Sequence, residues 1–208
     1  GFFVQEEDAD ADADPATSEG IFVFNGNANS VAVGDHVRVT GTAAEFGGNT
    51  QLSNATTVVL ASGAPLPTPA TIEFPVTAVS DLETFEGMAA QLPQQLVLAE
   101  FFNYARFGEV VVALPVPGES RPFSPTALFA PDSPEAAARA DLNRRSRITI
   151  DDGITAQNPS NVVHPITRDL FTLTNAFRGG DTVSGLTGPI FEAFSLYRVL
   201  PYGDLDGD

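Results

Sequence analysis

Along this chain apolar residues come in short runs, and polar residues, glycine or proline interrupt each run before a long helix could complete a buried stripe. Residues 1–5 (GFFVQ) and 20–24 (GIFVF) are aromatic and β-branched, and they flank an acidic segment at 6–19. That arrangement predicts a hairpin with a long acidic loop. Gly34-Asp35 is a turn signal, and in the following His36-Val-Arg-Val-Thr-Gly-Thr-Ala the valines at 37 and 39 alternate with polar neighbours, the period of a half-buried strand. Gly47-Gly48 supplies another hairpin turn and residues 56–60 (TTVVL) a further strand, so the region 1–61 accommodates five short strands.

Prolines at 65, 67, 69 and 75 stand among small residues, which predicts an extended linker over 62–78, outside any central strand. Beyond it, residues 79–87 fit a short helical turn, and 88–99 read as a long strand interrupted at Pro93, an edge or a bulge. Residues 109–114 (EVVVAL) are a plausible partner for that strand. The best helix lies near 134–145: Ser133 suits the cap, Pro134 the first turn, Glu135 the positive end, and Arg144 and Arg145 the negative end. Residues 147–153 predict a strand closed by an Asp151-Asp152-Gly153 hairpin turn, and 170–173, 181–188 and 195–200 predict the last strands.

Residues 33–41 and 179–188 both read turn, Asp, alternating strand, Gly. This echo suggests two copies of one barrel unit, with glycine placed where a small closed sheet coils sharply. The expected fold is therefore all-β: two OB-like Greek-key barrels with one short helix, the first barrel over 1–61 and the second over 79–203, followed by an acidic tail at 204–208.

Composition supports the class and narrows the chemistry. The chain has 208 residues, with 16 Phe, no Trp and one Met, and its 18 Gly and 16 Pro favour strands and turns over long helices. Asp and Glu number 27 against 10 Lys and Arg, a formal charge of −17, so the average surface repels phosphate. The absence of Cys excludes disulfides, zinc–thiolate sites and thiol catalysis. No apolar run reaches the about 18 residues that a membrane helix needs, so no membrane insertion is expected. The start at Gly1, without Met or a signal-peptide core, and the unfinished Asp204-Leu-Asp-Gly-Asp208 phrase read as a piece of something longer.

Two sets of residues are candidates for ligands. Asp8, Asp10, Asp12 and Asp14 alternate with alanine, a row of hard oxygen donors that a calcium ion could use if the loop folds back on itself. The competing reading is a solvated hairpin tip, because no Gly or bidentate Glu completes a known loop pattern; Asp204-Leu-Asp206-Gly-Asp208 is a weaker calcium candidate. For single-stranded DNA, an OB surface offers aromatics on strands with cations between them. Phe102, Tyr104, Arg106 and Phe107 fit that description, with Arg144, Arg145 and Arg147 as the basic cluster. Against this stands packing of the aromatics in the barrel and of the arginines at a helix end, so any DNA contact is local and weak. Only His36 and His164 could handle protons, and neither lies in a catalytic motif.

The phrases GFFVQ, PATSEGIFVF, VAVGDHVRVTGTAAEFGGNTQL, FEGMAAQL, FNYARFGEV, RITIDDG and FRGGDTVSGLTG, in this order, resemble the region ahead of the catalytic domain in secreted bacterial ExeM/NucH-type extracellular nucleases. The resemblance implies a secreted or cell-surface bacterial protein, and an OB-like module that precedes a metal-dependent endonuclease/exonuclease/phosphatase-type domain. It implies that the divalent metal of the parent belongs to that missing catalytic domain, which would be this chain's partner, and that no catalytic residue lies here. In that family a further strand normally precedes GFFVQ. Without that strand the first barrel is expected to have an open edge, where another copy could pair. Two functions are thus expected: a non-catalytic accessory module positioning nucleic acid or the catalytic domain, or an extracellular assembly module joined through an open β-edge, with calcium as a stabiliser.

Overall fold

The computed structural model describes residues 1–12, 14–26 and 31–202, together with the backbone of 206 and 207. The acidic tail and the calcium-type phrase at 204–208 otherwise lie outside the described residues. The protein is all-β, with two sheets, one of them curled into a half-barrel, and few helices. It divides into two units that interleave along the chain. The first holds residues 1–70, 82–90 and 189–197; the second holds 71–81, 91–188 and 198–208. Segments 82–90 and 189–197, which a contiguous division assigns to the second barrel, thus pack with the first unit, and the proline-rich stretch is shared between the two.

In the first unit, β1 (Phe2–Gln5) pairs antiparallel with β2 (Gly20–Val23), Phe2 opposite Val23, as the flanking apolar runs predicted. β3 (His36–Phe46) and β4 (Asn49–Ala61) form a long hairpin turned at Gly47 and Gly48, with Phe46 opposite Asn49. Both glycines have positive φ, 67° and 94°, as a tight two-residue hairpin loop requires. β4 is one continuous strand, so this sheet has four strands, in the order β1-β2-β4-β3. Its edges are β1 and β3.

The second sheet has nine strands. β5 (Ala70–Thr71), β6 (Ala89–Leu92), β7 (Leu96–Glu100), β8 (Val110–Ala113), β9 (Arg147–Ile150), β10 (Thr182–Ser184), β11 (Leu186–Ala193), β12 (Leu196–Val199) and β13 (Asp206–Gly207) follow along the chain, ordered β13-β10-β7-β8-β9-β12-β11-β6-β5 in the sheet. The strand expected over 88–99 is broken into β6 and β7 at Pro93, which has no N–H to donate to a ladder. β7 pairs antiparallel with β8 as expected, Leu98 opposite Val112. Asp151 to Gly153 forms a turn but not a hairpin, since β9 is flanked by β8 and, in parallel, by β12. Residues 170–173, expected as a strand, make only isolated bridges.

The short helical turn expected at 79–87 is a 3₁₀ helix over Val79–Phe85, and besides it and α3 (Pro134–Arg145) there are two single turns the pattern did not predict, α1 (Tyr104–Phe107) and α2 (Pro125–Leu128). α3 starts where the sequence predicted: the Ser133 hydroxyl accepts from the Ala136 amide at 3.1 Å.

The two units differ in how much they bury. In the second, β-strand side chains such as Leu96, Leu98, Val110, Val112, Ile148, Ile150, Val183 and Val199 are sealed from solvent. Burying each large aliphatic side chain contributes about 1.5–3 kcal/mol. In the first unit, the apolar side chains buried to that degree among the described residues are Val23, Leu82, Ala90 and Ile190.

Candidate functional site

The acidic loop uses its carboxylates locally. Asp8 accepts from the Thr68 amide at 2.8 Å and the Thr68 hydroxyl at 2.6 Å, and the hydroxyl bond foremost holds its pKa below the ordinary value. Asp12 accepts from the Asp14 amide at 2.7 Å, and Asp14 from the Ala16 amide at 3.0 Å, the side-chain-to-backbone bonds of Asx turns. Asp10 takes part in the turn through its amide, which donates to the Glu7 carbonyl at 2.9 Å. Asp8 is thereby tied to the segment around Thr68 while Asp12 and Asp14 close their own turns. Among the described residues no three acidic or histidine side chains converge as a metal cage would require.

The residues proposed to contact DNA are placed in two ways. Phe102, Tyr104, Arg106 and Phe107 lie at and just before α1 rather than on a strand. Asn103 precedes this one-turn helix and Gly108, with φ 74°, ends it. Tyr104 is buried: its hydroxyl donates to the Val163 carbonyl at 2.8 Å, and its ring packs edge-on against Phe177 and Phe171, with centroids 4.8 and 5.3 Å away. Burial, and secondarily the charge of Asp152, raise its pKa. Phe102 is exposed, Phe107 half-buried, and the Arg106 guanidinium lies 5.0 Å from the Phe107 ring centroid.

The basic cluster meets acid at each position. Asp141 accepts from Arg145 at 2.7 Å and from Arg144 at 2.8 Å, and its pKa is lowered, chiefly by the Arg145 hydrogen bond. Arg145 also donates to the Val76 carbonyl at 2.8 Å. Arg147 lies 3.7 Å from Glu100 beside a groove of about 190 Å³, with Pro122, Phe123 and Pro125 among its lining residues. The structure therefore commits one proposed aromatic, Tyr104, to packing and gives Arg144 and Arg145 at the end of α3 and Arg147 at the start of β9 anionic neighbours, which reduces what they offer to phosphate.

His164 is equally occupied. Its Nδ1 accepts from the amides of Ile166 and Thr167, both at 3.2 Å, and burial lowers its pKa, so the neutral ring orders its own loop. His36 is exposed, 3.6 Å from Glu7.

Sequence reading missed a buried ionic group in the second unit. Arg198 of β12 donates from Nη1 to Glu109 at 2.6 Å and to Asp151 at 2.8 Å, while Asn103 donates to the other Glu109 oxygen at 3.0 Å. Beside it, Asp152 accepts from the Ile154 amide through Oδ1, and its Oδ2 is buried with no partner among the described residues. Desolvation foremost, then the charges of Asp151 and Glu109, raise the Asp152 pKa. An arginine inside the apolar run LYRVL and a glutamate opening EVVVAL were the available signals.

The most accessible feature is the β3 edge. β4 pairs with β2 near its start, Gln51 and Leu52 opposite Phe22 and Val23, and among the described residues the rest of its ladder is made with β3. The outer side of β3 has no strand neighbour among the described residues. Apart from the half-buried Val37 and Val39, the residues of β3 are exposed, and so are Phe46, Val58, Val59 and Leu60 on the ribbon. Two register shifts bend the pair, and both put the extra residue on β4: Leu60 near His36–Val37, and one residue opposite Gly41, where Asn54 adopts φ 52°. Gly41 is tightly enclosed, since a Cβ would approach the Ser53 carbonyl oxygen to 3.0 Å. An eleven-residue strand edge of this kind can recruit a further strand by backbone hydrogen bonding.

Comparison with known proteins returns no matching family model, no matching curated protein and no matching solved structure.

Proposed function

We propose that this chain is a non-catalytic accessory module of a secreted bacterial nuclease, and that it acts by docking protein through the β3 edge. The ordered motifs that resemble the region ahead of the catalytic domain in ExeM/NucH-type nucleases support the setting. The observation that carries the mode of action is the exposed β3–β4 ribbon, whose outer strand offers eleven residues of backbone to a partner. The nucleic-acid arm of the sequence expectation is the weaker one. Arg144, Arg145 and Arg147 already face carboxylates, Tyr104 is packed away, and the net charge is −17.

The test separates the two arms. Purified chain incubated with plasmid or single-stranded DNA plus magnesium or calcium is expected to leave the DNA intact. Fluorescence anisotropy of labelled single-stranded DNA at low salt is expected to show no saturable binding. Cleavage that survives stringent purification, or DNA binding abolished by Arg144→Gln with Arg147→Gln, would overturn the proposal.

A further inference from the structure

Strand edges in natural proteins are guarded by shortness, lysine, proline or bulges that turn the strand away. β3 has eleven residues and neither Lys nor Pro, and the extra residues of its two bulges belong to β4, so the outer strand runs on without an insertion. The first unit is also the one with little apolar burial of its own, which leaves it the most to gain from added sheet.

Charge says what kind of partner fits. In a chain of net charge −17, residues 46–72 carry no ionisable side chain, and β3 itself carries Arg38 and His36 against Glu45. By its own side chains this ribbon is close to neutral on an acidic molecule; the carboxylates that reach it lie near its ends, Glu7 beside His36 and Glu86 and Glu192 beside Thr50 and Gly48, and leave the middle of β3 clear. Two like-charged acidic molecules approach with least repulsion through such a band. A strand edge is also self-complementary: a two-fold axis normal to the sheet sets β3 antiparallel to its own copy, and each N–H that faces outward meets a carbonyl.

We infer that the occupant of the β3 edge is a second copy of this chain, paired antiparallel β3 to β3, so that two four-stranded sheets join into one of eight. The inference rests on the docking reading above. Eleven residues at about 3.4 Å each give a contact about 37 Å long and one strand wide, small for a stable interface, so the dimer is weak and reversible.

Because the chain has no cysteine, single thiols can be placed cleanly. Sedimentation velocity from low to high micromolar protein is expected to show the mass rising toward twice the monomer. Thr42→Cys, near the centre of β3, is expected to form an intermolecular disulfide on mild oxidation, whereas Leu173→Cys, fully exposed in the second unit, stays reduced. Thr40→Lys with Thr42→Lys, two exposed positions, is expected to abolish the mass increase without changing the circular dichroism spectrum. A chain monomeric at every concentration would overturn the second-copy inference, as would a dimer insensitive to the two lysines or cross-linked equally at 173. Hydrogen exchange on the monomer reads the docking proposal separately. Rapid exchange of the outward-facing β3 amides upholds an open edge, and slow exchange overturns it too.

Discussion

Replacing Arg198 with Met tests whether the buried ionic group of the second unit is held together by this arginine. Arg198 is 2% exposed and bridges Glu109 and Asp151 at 2.6 and 2.8 Å. Methionine fills much of the volume but leaves two carboxylates, one of them buried, facing each other without a counter-charge. Removing one partner from a buried pair costs about 3–5 kcal/mol, a large share of the about 5–15 kcal/mol by which domains are stable. For a chain of this size that corresponds to a loss of about 6–20 °C in melting temperature. Urea unfolding followed by far-UV circular dichroism measures the loss directly. The same substitution combined with Glu109→Gln and Asp151→Asn is expected to recover more than half of it, because no uncompensated charge then remains. A loss under about 1 kcal/mol for Arg198→Met, or no recovery in the triple variant, would show that water or rearrangement neutralises the site and that the arginine does not hold it.

Two further substitutions probe the other unusual environments. Gly108→Ala drives a Cβ into the Asp152 carboxylate at a backbone φ of 74°, whereas Gly118→Ala at φ 90° meets nothing within 4 Å. Both incur about 1–3 kcal/mol of backbone strain, and Gly108→Ala is expected to lose clearly more by thermal melting; equal losses would refute the close approach. Glu86 is buried in the first unit, where it accepts from the Thr50 amide at 2.9 Å, and burial, then repulsion from Glu83, raise its pKa. The fold thus favours its neutral form. Its contribution is fully present below the ordinary value of 4.5 and is lost as pH climbs through the raised folded value. Glu86→Gln is therefore expected to flatten the gain in melting temperature as pH falls toward 4.5, and parallel profiles for the two proteins would contradict this.

Local pattern carried far in this sequence where a single residue decides the conformation. Ser133 with Pro134 marked the start of α3, the paired glycines at 47 and 48 marked the β3–β4 turn, and the runs around Phe3 and Phe22 marked β1 and β2. The period-two signal failed where pairing depends on distant strands. Residues 170–173 are as apolar as real strands but find only isolated bridges, and α1 ends at Gly108 so that FNYARF turns instead of extending. The interleaving of the units was hidden for the same reason. Glu86 lies in the FEGMAA phrase, yet its acceptor oxygens face amides of Thr50 on β4 and Glu192 on β11, contacts that no local spacing encodes.

The candidate site shows the sharper limit of residue type as evidence. Arginines at a helix end and aromatics in FNYARF have the chemistry to bind DNA, but Asp141 lies three and four residues before Arg144 and Arg145 on the same helix face, and Tyr104 is turned inward to the Val163 carbonyl. What distinguishes the β3–β4 ribbon is an absence of residue types: no charge from 46 to 72, and no lysine or proline in β3. Such a stretch attracts no motif search. It becomes informative once the sheet order leaves that strand at an edge, because a long solvated edge without lysine or proline is unexpected in an otherwise highly charged molecule. The charge of −17 that argues against phosphate therefore also sharpens the choice of partner, since it leaves this band as the place where a second acidic chain can approach.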